Sequence, residues 1–260
     1  MDQKRNYQKE LDKELDKIQR EGRVPSLLLH SCCAPCSSYV LEYLSRYFRI
    51  TVYYYNPNIT NLEEYTKRSS EQMRLITEMP ARYPVRFMAG HYQPMEFLKM
   101  AKGLEDIPEG GERCFRCYEM RLRSTAELCR QEGFDYFTTT LTISPMKNAQ
   151  KLNEIGEQLA REYNVSWLNS DFKKKNGYKR SIELSGEYGL YRQNYCGCIF
   201  SERDRVRQEQ QKEKEREALQ KGETEKKKKK RNHTAERMKN NGTVMGRKIH
   251  KGNRQTGIQF

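Results

Sequence analysis

An α/β fold, with a mostly parallel sheet flanked by helices, is predicted by three observations. Runs rich in β-branched, aromatic or leucine residues alternate with stretches of helical spacing across residues 25–168. The first run, Leu27-Leu28-Leu29, is apolar without alternation, as a strand covered on both faces requires. The links between runs carry turn residues such as Asn56-Pro57, Gly110-Gly111 and Ser144-Pro145. At 260 residues the chain can bury one substantial core with a small appendage.

Residues 1–22 are rich in Lys, Glu, Gln and Arg, with Leu11, Leu15 and Ile18 at helical spacing, which predicts a solvated helical extension. A first strand is expected over about 25–31 and its helix over 36–47. The β-branched and aromatic residues 49–55 predict the second strand, closed by Asn56-Pro57-Asn58. A helix is expected over 63–78, with Tyr65, Met73 and Ile76 on one side, and a third strand over 84–88. Pro94 opens a helix that runs into Gly103. After a loop, Cys114-Phe115-Arg116-Cys117 opens another, continuing to about Glu132. Residues 134–140 form a strand ending in hydroxyls, residues 148–163 a helix, and residues 165–168 the last strand.

Right-handed crossovers place every strand's carboxyl end on one rim, which brings Cys32, Cys33, Asn56 and Thr138 to Thr140 together. In a Rossmann-like or HUP-like sheet, that rim is where ligands bind. The catalytic domain is therefore expected over 23–202, including a Cys-rich segment around Tyr195-Cys196-Gly197-Cys198. Residues 203–260 are poor in apolar side chains and hold an unbroken basic run at 226–231, so they are expected to be a largely disordered tail.

Of the net charge of +14, the tail from residue 203 carries 19 Lys/Arg against 8 Asp/Glu. The body is nearly balanced; the tail has the footprint of nonspecific RNA association, or of an extension that keeps the protein soluble. The charged N-terminus carries no apolar signal segment, and no apolar run reaches the roughly 18 residues of a membrane span. A cytoplasmic protein is expected, in which clustered cysteines bind metal or do redox work rather than form a disulfide scaffold.

Three of the eight cysteines, Cys32, Cys33 and Cys36, fall within five residues at the end of the first strand. Thiols at a strand end and a helix N-terminus favour the thiolate. Cys114 and Cys117 lie one helical turn apart, a chelating spacing. The two places together supply four thiolates, which suits a 4Fe-4S cluster or a tetrahedral zinc. Cys196 and Cys198 flank a glycine: the spacing allows a strained, easily reduced disulfide, or a pair of metal ligands. Cys36 is either inert or a ligand of an additional metal. Cys129, mid-helix, reads as packing, and His30 as a strand-end hydrogen-bonding residue. Tyr53 to Tyr55 read mainly as sheet core. Asp171, Lys173, Lys179, Arg180 and Arg192 are candidates for contacting phosphate or sugar, in a segment that is otherwise solvated.

Six ordered blocks carry a resemblance: Leu29-His30-Ser31-Cys32-Cys33-Ala34-Pro35-Cys36, Tyr55-Asn56-Pro57-Asn58-Ile59, Cys114 to Leu122, Thr138-Thr139-Thr140-Leu141, Ser144-Pro145-Met146-Lys147-Asn148 and Tyr195 to Ser201. Over about residues 24–202 the chain resembles the epoxyqueuosine reductase QueH family. The resemblance implies a cytoplasmic tRNA-modifying oxidoreductase with a 4Fe-4S cluster. It would convert epoxyqueuosine to queuosine at the tRNA wobble position, the last step of queuosine biosynthesis, without cobalamin. It further implies that Cys32, Cys33, Cys114 and Cys117 hold the cluster and that Cys196 and Cys198 are a redox-active disulfide pair. An additional iron is implied beside the cluster, with Cys36 the position suspected. The partners expected are tRNA carrying epoxyqueuosine and an electron donor, with no membrane.

Two other readings compete. A nucleotide-activating tRNA thiolase of similar plan needs a glycine-rich phosphate loop after the first strand, and Ser31-Cys32-Cys33-Ala34-Pro35 has no glycine. A zinc-stabilised RNA-binding module would use the same thiols without catalysis.

Overall fold

The computed structural model describes residues 5–248, with side chains described as far as residue 228. Its sheet has five strands in the order β3-β2-β1-β4-β5, every adjacent pair parallel. β1 is Ser26–His30, β2 Arg49–Tyr54, β3 Arg86–Ala89, β4 Tyr136–Thr139 and β5 Ser166–Trp167. The chain winds outward from β1 to β3, then returns to pair β4 on the other flank of β1. The strand order thus reverses between β1 and β4, and ligands bind in the crevice at such a reversal.

Both sheet faces are covered, which is why the β1 apolar run does not alternate. Leu27 and Leu29 point into one core with α2 (Ala34–Leu44), α3 (Leu62–Glu78) and α7 (Gly177–Glu187). Leu28 points into the other, with Tyr118, Leu122, Leu152 and Ile155 of α5 (Glu112–Glu132) and α6 (Ala149–Tyr163). The period of two along the strand separates the two cores. A short helix, α4 (Pro94–Ala101), precedes α5, and β4 runs on into a 3₁₀ turn at Thr140–Ile143.

Three expectations need correction. The N-terminal helix α1, Tyr7–Arg20, is not simply solvated. Leu11, Leu15 and Ile18 are at most 2 % exposed in the α2 core, so their helical spacing is a buried stripe while the charged residues face out. A helix in the mixed segment after the last strand, α7, was not expected. There Gly177 lets α7 approach closely: a Cβ would stand 2.4 Å from the Tyr39 ring of α2 and 2.0 Å from the Phe172 carbonyl oxygen. The helix of the first strand–helix unit, expected over 36–47, begins two residues early, at Ala34, with Cys33 as its N-cap and Pro35 in its first turn.

The chain divides into two units, Met1–Arg203 and Asp204–Phe260. α8, Ile199–Lys248, starts in the first and supplies all the described residues of the second. Where composition predicts disorder, the described backbone is thus helical. Its Lys, Glu, Gln and Arg are strong helix formers, and pairs such as Arg205–Glu209 at 3.2 Å fall at i,i+4. Among its described side chains no apolar stripe forms, and Leu219 is 71 % exposed. Residues 249–260, part of the expected tail, lie outside the described residues. No helix among the described residues is long and apolar enough to cross a membrane.

Candidate functional site

At the carboxyl end of β1 the chain passes from strand to helix within three residues, and the turn is pinned from both sides. His30 is fully buried, its imidazole 2.8 Å from the Thr139 hydroxyl and 3.1 Å from the Tyr55 carbonyl. Burial, reinforced by the nearby Arg121 charge, pushes its pKa down to about 3, so the ring is neutral. Asn56 donates to the Ser31 carbonyl at 2.9 Å, and the Cys32 amide approaches the Thr140 hydroxyl at 3.4 Å. On the α2 side, the Ser31 and Ser37 hydroxyls each donate to Gln72 at 2.8 Å.

This frame places the sulfurs of Cys32, Cys33 and Cys36 within 4.8 Å of one another. Hydrogen bonds from Cys33 and Cys36 hold the Cys32 thiol well below its ordinary range, which makes it the group's thiolate. The same interaction pushes Cys33 up to about 12 and Cys36 well above its usual value. Cys36 therefore belongs with its two neighbours.

Cys114 and Cys117 lie in the first turns of α5 and are outside that trio. Burial raises both thiols, Cys117 to about 11. Cys114 shares a core with the partly buried Cys32, whereas Cys117 packs with Phe97, Phe200 and Cys198. Between the two thiol groups stands Arg121, 4 % exposed and one turn beyond Cys117. Its guanidinium donates to Asn56 and, at 3.3 Å, to the His30 ring. Its charge acts on both Cys32 and Cys117. Among the described residues no carboxylate pairs with it. A buried arginine whose hydrogen-bond partners are all neutral calls for an anion, and a metal–thiolate group supplies one. The thiols and the arginine therefore fit a negatively charged metal centre.

A third segment closes over this region. Gly197 sits at φ +103°, a conformation that glycine supplies cheaply, and a Cβ there would meet Ile59 at 2.7 Å. Arg68, 2 % exposed and paired with Glu64, donates to the Cys196 carbonyl at 3.2 Å, as does Asn58. The Cys196 and Cys198 sulfurs are 3.4 Å apart, in contact but beyond disulfide bonding distance. The close contact with Cys198, aided by Lys147, draws Cys196 down to about 5, and Cys198 is raised in turn.

Other candidates lie apart. Cys129 is fully buried in the α5–α6 core. Arg180 is committed to Glu42 at 2.7 Å and Glu187 at 2.6 Å, Lys173 to Asp171 at 2.8 Å, and Arg192 to the Ser185 hydroxyl at 3.0 Å; Lys179 is exposed. Sequence reasoning missed Arg121, Arg68, Glu109 and Ser201. The i+4 spacing of Arg121 from Cys117 is the one signal that points to it. Lys147, Arg121 and Ser201 lie within the blocks that carry the resemblance, but none is given a role there.

Against known proteins, the model of the family "Epoxyqueuosine reductase QueH" matches residues 27–204. The chain is 46 % identical over 203 residues to an epoxyqueuosine reductase QueH of Staphylococcus epidermidis, covering 76 % of this chain and 85 % of that protein. It is 43 % identical over 203 residues to the one of Streptococcus pyogenes, covering 77 % and 80 %. With the one of Thermotoga maritima it shares 35 % identity over 186 residues, covering 69 % and 92 %.

Proposed function

The chain belongs to the epoxyqueuosine reductase QueH family, and on that premise we propose that it reduces epoxyqueuosine to queuosine in tRNA. The reaction takes two electrons and two protons: the two C–O bonds of the epoxide break, a C=C bond forms, and the oxygen leaves as water. The observation that carries the reading is the trio of thiols at the strand-order reversal, with Cys114 in the core beside Cys32 and the buried Arg121 acting on both Cys32 and Cys117, no acid among the described residues being paired to it.

Cys32, Cys33, Cys114 and Cys117 would hold a 4Fe-4S cluster, and Cys36 an additional iron beside it. When bound, the cluster supplies electrons one at a time, and an iron supplies a Lewis acid. The protein's own part is positional. His30 stays neutral and ties the end of β1 to β4, Asn56 orients Arg121, and Arg121 balances thiolate charge. Cys196 and Cys198 would store two reducing equivalents as a dithiol and release them as a disulfide.

Anaerobic purification tests the reading: brown protein with iron in slight excess over sulfide, as a 4Fe-4S cluster plus one iron requires, which converts epoxyqueuosine in tRNA to queuosine, is the expected result. Colourless protein holding zinc alone, inactive on that tRNA, supports the RNA-binding module instead. Replacement of Cys114 by Ser is expected to abolish both iron retention and turnover.

A further inference from the structure

Beneath the Cys196–Cys198 segment lies a polar chain that the reductase reading does not use. Lys147, with its side chain 11 % exposed, places its ammonium 2.7 Å from Glu109. The other Glu109 oxygen accepts from the Ser201 hydroxyl at 3.0 Å. Ser201 stands in the first turn of α8 and touches both cysteines: its hydroxyl accepts from the Cys196 amide at 3.3 Å, and its own amide donates to the Cys198 sulfur at 3.3 Å. Two opposite charges are thus tethered, through one serine, to both members of a dithiol.

The pair is not there to hold loops together. A partly exposed ion pair contributes little net stability, and this loop already has an anchor in Arg113. That guanidinium donates to the carbonyls of Leu104, Glu105 and Ile107 and stacks on Phe200 at 4.6 Å. The Lys147 and Glu109 charges reach Cys196 with opposite signs: the ammonium stabilises negative charge on its sulfur and the carboxylate opposes it. Arg113 adds positive charge near Glu109, and Tyr118, Cys114 and Cys117 are the other titratable groups around them.

We propose that Lys147 and Glu109 are positioning residues that set the redox poise of the Cys196–Cys198 pair in opposite directions, with Ser201 holding both in register. The step they govern is Cys196 thiolate plus Cys198 thiol giving the disulfide, two electrons and one proton. Lys147 stabilises the thiolate side and makes the pair harder to oxidise; Glu109 destabilises it and makes the pair easier to oxidise. This rests on the reading of Cys196 and Cys198 as a redox pair.

The test equilibrates the full-length, metal-loaded protein anaerobically in buffers of reduced and oxidised glutathione. After an alkylation quench, the Cys196–Cys198 disulfide is counted by peptide mass. Lys147→Gln should form the disulfide at about a tenfold lower ratio of oxidised glutathione to squared reduced glutathione, equivalent to about 30 mV. Glu109→Gln should move the ratio the other way, and Lys147→Arg should return it to within about threefold of wild type. Local damage moves both neutralising variants in the same direction, so shifts of one sign, or none, overturn the proposal. Should Lys147→Gln fail to fold, the direction of the isosteric Glu109→Gln shift decides alone. If no glutathione ratio yields the disulfide in the wild type, the redox-pair reading falls with it.

Discussion

Arg121 is the side chain whose placement demands most of its surroundings. It is 4 % exposed, it hydrogen-bonds a neutral imidazole, an amide and the Cys117 thiol, and its charge acts on Cys32 as well. Leaving such a charge uncompensated costs several kcal/mol, a cost that an anionic metal–thiolate centre removes. Arg121→Gln is therefore expected to retain less than half the wild-type iron per chain after anaerobic reconstitution, measured by metal analysis. Full iron content would show that the charge is balanced elsewhere. Cys129 supplies the contrast, because it is equally buried but stands in an apolar core. Cys129→Ala should keep its iron and lose on the order of 1 kcal/mol in urea unfolding, the cost of a small cavity. Clustering made the thiols legible, since three cysteines in five residues stand out without a structure. Arg121, Glu109 and Lys147 were not legible. Apart from the i+4 spacing of Arg121 from Cys117, nothing in sequence separates these charges from the many solvated ones, and their partners come from segments up to 92 residues away.

At the scale of the elements, the strands were readable because their β-branched and aromatic runs are set by burial on both faces. The helix ends were less so. α7 escaped notice because its defining contact, Gly177 against Tyr39, is tertiary. α1 was placed correctly but given the wrong surroundings, since a stripe of three apolar residues does not say what covers it. Two element contacts offer tests remote from the thiols. Gly156 of α6 lies against the Trp167 ring of β5, where a Cβ would come within 2.3 Å. Gly156→Ala should cost about 1–3 kcal/mol by overpacking, although alanine favours helix. At the opposite end of the sheet from the site, Asp135 accepts from the Ser26 amide and hydroxyl, each at 2.7 Å. The Ser26 hydroxyl above all holds the Asp135 carboxyl below its usual range, against a smaller opposing effect of burial. A depressed folded-state pKa gives stability that is present above the unfolded value of about 3.9 and is lost as pH falls through the folded one. Wild type should exceed Asp135→Asn by about 1 kcal/mol or less at pH 7, because the carboxylate is exposed, and the gap should close below about pH 4. A gap unchanged in acid would reject the assignment.

For the molecule as a whole, the two units call for separate experiments. The first contains every residue assigned to the site; the second continues as a polar helix rich in lysine. A chain ending at Glu217, which leaves the first turns of α8 intact, should keep its iron and its turnover at low salt. Its affinity for tRNA should fall less steeply with salt concentration than that of the full chain, because fewer phosphate contacts release fewer counterions. Equal slopes would make the tail a solubility extension. The order β3-β2-β1-β4-β5 also has a bearing on how the protein is made. Cys32, Cys33 and Cys36 sit early in the chain, Cys114 and Cys117 near its middle, and Cys196 and Cys198 after the last strand, yet Cys114 packs into the core beside Cys32, and Cys117 packs with Cys198. Such long-range pairing is slow to form. A growing chain will hold its first three thiols ready long before the others emerge from the ribosome. On the proposed ligand set, metal acquired at that stage would meet only part of its ligands, and loading on a sheet already closed would avoid this.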